Sequence, residues 1–82
     1  MISVDDNSEF TILTVDFIET LAKANEFILK IWINGSEIPY RYTEKDELYF
    51  MQEGIRIKGD GFIDWIFYDT ISAMRLYYDK IE

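Results

Sequence analysis

Any chemistry in this chain has to come from carboxylates, tyrosines and a few bases. There is no histidine and no cysteine among the 82 residues. That removes the Ser-His-Asp and Cys-His nucleophile systems and leaves no ordinary ligand set for zinc. Asp60, Asp64 and Asp69 form a carboxylate group without an intervening base. Hard cations take such oxygens, yet the spacing fails the EF-hand pattern. The plainer reading is three solvated residues in turns and at strand ends. Paired carboxylates can also act as acid and base, but nothing singles out such a pair, so no enzyme and no cofactor are expected. The glycines of Lys58-Gly59-Asp60-Gly61 lack the spacings of phosphate-cradling loops.

Tyrosine is the richer signal. Tyr40, Tyr42, Tyr49, Tyr68, Tyr77 and Tyr78 make six in a short chain. Tyrosine and tryptophan are enriched among the buried anchors of protein interfaces. The competing reading is that tyrosine suits a strand and keeps a wet tip.

The acids outnumber the bases sixteen to eight, a net charge of −8. They run from Asp5 to Glu82 and form no tail. Such a balance keeps a tyrosine-rich surface soluble, or it offers an acidic face to a basic partner. It repels a phosphate backbone as a whole, so nucleic acid is not the expected partner. No apolar stretch approaches the roughly 20 residues that span a bilayer, and no basic start precedes an apolar run. The expectation is a cytoplasmic protein with no membrane partner. One small domain is expected over 9–82, after a flexible start over 1–8. A chain of this size buries only about 60–65 % of its unfolded surface, so a dense aromatic core or homo-oligomerisation has to supplement it.

The elements that position these groups follow from periodicity. Phe10, Ile12 and Leu13 suit a short strand or an extended lead-in. Phe17, Ile18 and Leu21 share one helical face over 16–25, with Glu19 and Lys23 four apart on the other. Asp16 is placed to cap that helix. Residues 27–33 alternate as a strand, with Phe27, Leu29, Ile31 and Ile33 on one face. Asn34-Gly35 is the strongest turn signal; with Ser36 it also matches a glycosylation pattern, read here as a turn. Strands follow over 38–43, 47–52 and 55–58, with Glu53-Gly54 as a break. Residues 61–78 read as two strands with a corner near Asp69-Thr70, Ile63, Trp65 and Phe67 lying on one side of the first. Trp65 and Phe67 are expected in the core. The fold class is mainly β: a short N-terminal helix, then five or six strands in a bent antiparallel sheet or small barrel.

This layout resembles the Sm-like fold, and within it the bacterial Hfq branch. The likeness runs through the helix, the strand at 27–33, the Asn34-Gly35 turn and the following strand. It resumes where Ile71-Ser72 precedes the last strand. The resemblance implies a strongly bent five-stranded sheet and rings closed by pairing the last two strands of neighbouring subunits. Hfq-like chains carry a Tyr-Lys-His run before the Ile-Ser pair that contacts RNA. Here Phe67, Tyr68 and Asp69 stand there, and the uridine-binding glutamine near the helix is missing. The family's RNA binding is therefore not carried over.

Two functions are weighed. The first is a non-enzymatic interaction module for a basic, nucleic-acid-binding protein, in its sharpest form a nucleic-acid mimic like small acidic phage inhibitors of bacterial defence. Its candidate residues are Glu44, Asp46, Glu47, Asp60, Asp64 and Asp69, with Tyr40, Tyr42 and Trp32. The second is a divergent Sm-like RNA or nucleotide binder in a homo-oligomeric ring. There Trp32 and Tyr68 stack on bases, and Lys30, Arg56 and Lys58 supply charge.

Overall fold

A computed structural model describes residues 2–4 and 15–78, with side chains from Phe17 onward. The expected lead-in at Phe10, Ile12 and Leu13 lies outside the described residues. The order is β1 (Ile2–Val4), α1 (Val15–Lys23), β2 (Phe27–Ile33), β3 (Tyr40–Thr43), β4 (Glu47–Phe50), β5 (Gly54–Gly59), β6 (Phe62–Phe67), a 3₁₀ turn (Tyr68–Thr70) and β7 (Ile71–Tyr78). The mainly β class with a short helix is what the periodicity predicts. Ile2–Val4 belongs to the stretch read as a flexible start, and its backbone runs parallel to β4.

The strands form two sheets, β1-β4-β5-β6 and β3-β2-β7. Apart from the β1–β4 pair, every ladder is antiparallel. The sheets do not close into a barrel. Two local devices interrupt the path between them. Between β3 and β4, the Thr43 N–H donates to the Asp46 carboxylate and the Asp46 N–H donates to the Thr43 carbonyl. Between β6 and β7, the 3₁₀ turn intervenes, its Thr70 hydroxyl donating to the Phe67 carbonyl at 2.7 Å.

One apolar cluster joins the sheets. Phe27, Leu29 and Ile31 of β2 and Tyr42 of β3 meet Leu48 and Phe50 of β4, Ile55 and Ile57 of β5, and Ile66 of β6. Helix α1 adds buried Leu21, with Phe17 and Ile18 packed beside it. This is the apolar face its spacing implies. The helix starts at Val15, so Asp16 stands inside the first turn and not at its cap. On the exposed side Lys23 reaches Glu19 at 3.9 Å, a surface pair of small energetic weight.

The Asn34-Gly35 turn forms, with the Ser36 N–H donating to the Ile33 carbonyl at 3.0 Å. Gly35 takes φ +84°, a conformation open to glycine at little steric cost. The hairpin is nevertheless long. Strand β3 begins at Tyr40, two residues later than the alternation predicts. The Ser36 hydroxyl engages both polar groups of Ile38, and Pro39 has no N–H to give a ladder. Ile38 is left 80 % exposed.

Gly54 is a second correction. It does not break the chain; it opens β5 opposite Phe67 and is buried. A β-carbon there would collide with the Ile66 carbonyl oxygen and lie 3.1 Å from Phe67 Cα. Both are backbone atoms of the paired strand and cannot swing aside. Gly54→Ala is expected to cost about 1–3 kcal/mol, as overpacking does, read as a lower urea midpoint. An unchanged midpoint would mean that β6 does not press on β5 at this point.

Candidate interaction site

Among the described residues strand β6 pairs only with β5 and is an edge of its sheet. Its inward positions are Phe62, Asp64 and Ile66, not the expected set. Ile63, Trp65 and Phe67 point outward and are 66 %, 42 % and 47 % exposed. Trp65 and Phe67 are thus surface residues, their rings edge to face at 5.5 Å. The phase is set by Ile66, which lies opposite buried Ile55, and by the environment of Asp64.

That environment joins the two sheets by a polar contact. The Tyr42 hydroxyl on β3 donates to the Asp64 carboxylate at 2.5 Å. Tyr42 also stacks on Tyr40, and Phe62 lies tilted against it, each with centroids 6.4 Å apart. Burial first, then the Asp64 bond and charge, push the Tyr42 phenol well above its ordinary value of 10.0. The edges β3 and β6 therefore share a rim of Tyr40, Tyr42, Phe62 and Asp64. Phe62 escaped the sequence reading because that reading took Trp65 and Phe67 for the core and gave the alternate positions of the strand no role.

The other acids divide in two. Glu44, Asp46 and Glu47 hold local structure. Glu44 accepts the Phe27 N–H at 3.1 Å, Asp46 caps Thr43, and Glu47 accepts the Tyr49 hydroxyl at 2.6 Å. Asp60 and Asp69 are exposed and bracket β6, at the β5–β6 turn and in the 3₁₀ turn. Asp60, Asp64 and Asp69 are thus strung along one strand. Among the described residues no group of three or more acids could hold a metal ion.

Arg56 and Lys58 share one face, as their alternation implies, but Lys30 lies in the other sheet. Arg56 and Lys58 lie on the outer face of β5, where Arg56 sits over the Tyr49 ring at 4.6 Å and Lys58 stands opposite Glu47. Lys30 belongs to the other sheet, over the Tyr77 ring at 5.4 Å. Arg75 and Lys30 lower the Tyr77 phenol, chiefly through the Arg75 hydrogen bond. Tyr68 is buried and offers no stacking face. Trp32 stands on β2 opposite Ala73, away from the β6 rim.

Compared with protein-family models, curated proteins and solved structures, the chain matches none. Among the described residues no helix is long and apolar enough to cross a membrane.

The Tyr42–Asp64 contact has a pH signature. A folded-state phenol held above its unfolded value binds its proton more tightly when folded. Its contribution to stability is therefore complete below about pH 10 and is lost as the pH rises through the folded value. The unfolding free energy is expected to fall from about pH 10 upward, and less steeply in Tyr42→Phe. Phenolate absorbance should show one tyrosine that ionises only as the protein unfolds. Ionisation of every tyrosine within the intact fold would contradict the contact.

Proposed function

We propose that the protein is a non-enzymatic interaction module whose β6 edge docks a basic protein partner. The observation that carries this reading is the row Ile63, Trp65 and Phe67, held outward on a strand whose far side has no ladder among the described residues. Apolar rows on open edges invite another chain, and an added strand gains main-chain hydrogen bonds while its alternate side chains meet such a row. Tyr40 and Phe62 extend the apolar surface around the edge. Asp60, Asp64 and Asp69 give the same strand its charge, which selects a basic segment and steers its approach. The mimic form of this idea asks for acids displayed at spacings along a rigid surface; exposed Asp60 and Asp69 are its support, while half-buried Asp64 is held by Tyr42. Glu44, Asp46 and Glu47 contribute charge while serving the turn and strand that hold them.

The purified protein is expected to retain basic proteins of its own cell at low salt and to release them at about half-molar salt. Trp65→Ser with Phe67→Ser removes exposed rings and leaves the core cluster intact, so the fold should persist by circular dichroism. Retention should then drop at least about tenfold, as for lost aromatic anchors. Binding indifferent to salt, or equal in wild type and the double variant, would reject the reading.

A second reading has one observation in its favour. Strands β6 and β7 are outer strands of different sheets, joined by a 3₁₀ turn, an arrangement compatible with the ring closure implied by the Sm-like resemblance. Light scattering should then give several times the 9.8 kDa of one chain. A monomer at all accessible concentrations would remove it.

A further inference from the structure

The outer face of the three-stranded sheet carries a feature that the β6 edge does not use. Lys30 is in register with Arg41 on β3 and with Arg75 on β7. Three of the chain's eight lysines and arginines therefore stand in one row across the sheet. With strands about 4.7–4.9 Å apart, the row spans about 10 Å. Like charges directly opposite one another destabilise a sheet, and this row contains two such pairs. Among the described residues no acid is ion-paired with it; the ion pair among them is Lys23 with Glu19. Tyr77 offers Lys30 its ring and Arg75 its hydroxyl, which leaves the net charge in place.

The row opens at one end into a hollow of about 360 Å³, lined by Trp32, Ser72, Ala73, Met74 and Arg75. Arg75 belongs to both. The hollow exists because Trp32 faces the small side chain of Ala73 and because β7 carries a bulge here. Ser72 is the extra residue, skipped between the Trp32–Ala73 and Ile33–Ile71 pairs. Its hydroxyl donates to the Trp32 carbonyl at 3.2 Å. Bulges of this kind re-aim side chains and occur beside functional sites. At the opposite end a smaller hollow of about 240 Å³ is lined by Glu26 and Glu44 as well as Tyr77 and Tyr78, and its carboxylates disfavour an anion. The face is therefore polar along its length: indole and hollow, then three cations, then acids.

We infer that this face binds a nucleoside phosphate, its base against Trp32 in the hollow and its phosphates over Arg75, Lys30 and Arg41. An aromatic plane next to a cationic track is the combination that binds bases and phosphates together. An acidic peptide would satisfy the cations and leave the indole hollow empty. The same chemistry is offered by a free nucleotide and by a single-stranded nucleic acid.

In Trp65→Phe, Trp32 is the sole indole. Its fluorescence should be quenched on titration with adenosine or uridine triphosphate, or with single-stranded adenine- and uridine-rich oligomers. Inorganic triphosphate should bind at least about tenfold more weakly, since base stacking is worth roughly 1–3 kcal/mol. For three neutralised phosphates of a strand the salt slope should be about −2, or about twentyfold weaker binding between about 50 and 200 mM salt. Arg41→Gln and Arg75→Gln should each flatten that slope by about 0.7, whereas Lys45→Gln, in the exposed β3–β4 turn, should not. Affinity rising with oligomer length identifies a strand, and triphosphates binding as well as oligomers identify a free nucleotide; both support the site. Absence of quenching at about 1 mM nucleotide and about 100 μM oligomer in low salt overturns it. So does equal binding of inorganic triphosphate or polyglutamate, or an Arg75→Gln protein that folds and binds like wild type. Trp65→Phe alters one ring of the β6 edge, but ligand and readout lie at Trp32 on the other sheet, and the β6 reading is tested separately with the wild-type edge, so either proposal can fail without the other.

Discussion

A chain of 82 residues that folds into two sheets has four sheet faces and enough apolar volume to hide two. This constraint governs the molecule. The two inner faces take the apolar residues of β2, β4 and β5, and Leu29, Ile31, Leu48, Phe50, Ile55 and Ile57 are fully buried. The interior then has no room for a second aromatic layer. Trp65, Phe67, Tyr77 and Tyr78 are left on the surface because the core is already closed by aliphatic side chains with Phe27, Tyr42, Phe50 and Tyr68, and small domains bury a smaller share of their surface than large ones. Aromatic density in so short a chain therefore marks surface as much as interior.

The same constraint explains which parts of the fold the sequence discloses. Strand β2 is legible because its inward set, Phe27, Leu29 and Ile31, is purely apolar while Lys30 interrupts the outward set. Helix α1 is legible because Phe17, Ile18 and Leu21 share one face opposite Glu19 and Lys23. Strand β6 has no such asymmetry. Its alternation is plain, but Ile63, Trp65 and Phe67 compete with Phe62, Asp64 and Ile66, and the more hydrophobic set is the one that faces out. Periodicity fixes that a strand alternates, not which side is inside. The deciding partner is Tyr42, whose hydroxyl makes a carboxylate acceptable on the inward face. That contact joins residues 22 apart in the chain, so no local window contains it.

The candidate sites divide along the same line. Acids flanking β6 are visible in sequence because Asp60, Asp64 and Asp69 are local to one strand. The cationic row is not, because Arg41, Lys30 and Arg75 meet only through two ladders. Lys30 with Arg56 and Lys58 is the grouping that proximity in type suggests, and it is wrong in space because β5 and β2 lie in different sheets. Gly54 misleads for a related reason. A glycine between charged residues looks like a turn, but the requirement it meets is close approach to the Ile66 carbonyl across a ladder.

Net charge is likewise a poor guide to any one face. With −8 over the chain, a uniform view would exclude every anionic ligand. Fields from exposed charges, however, decay over about 10 Å at 0.1 M salt, and packed sheets lie about 10 Å apart. The aspartates along β6 and the row at Lys30 occupy different sheets, so each acts on what approaches its own side. Salt therefore separates the two faces instead of blending them. At low ionic strength the acids weaken an anion's approach to the row, and at moderate ionic strength that long-range penalty shrinks. The direct contacts at the row weaken as well, so affinity for an anion is a balance between screened repulsion and screened attraction. Arg75 tips that balance toward attraction, because it is shared between the cationic row and the Trp32 hollow, where base and phosphate would act on the protein together.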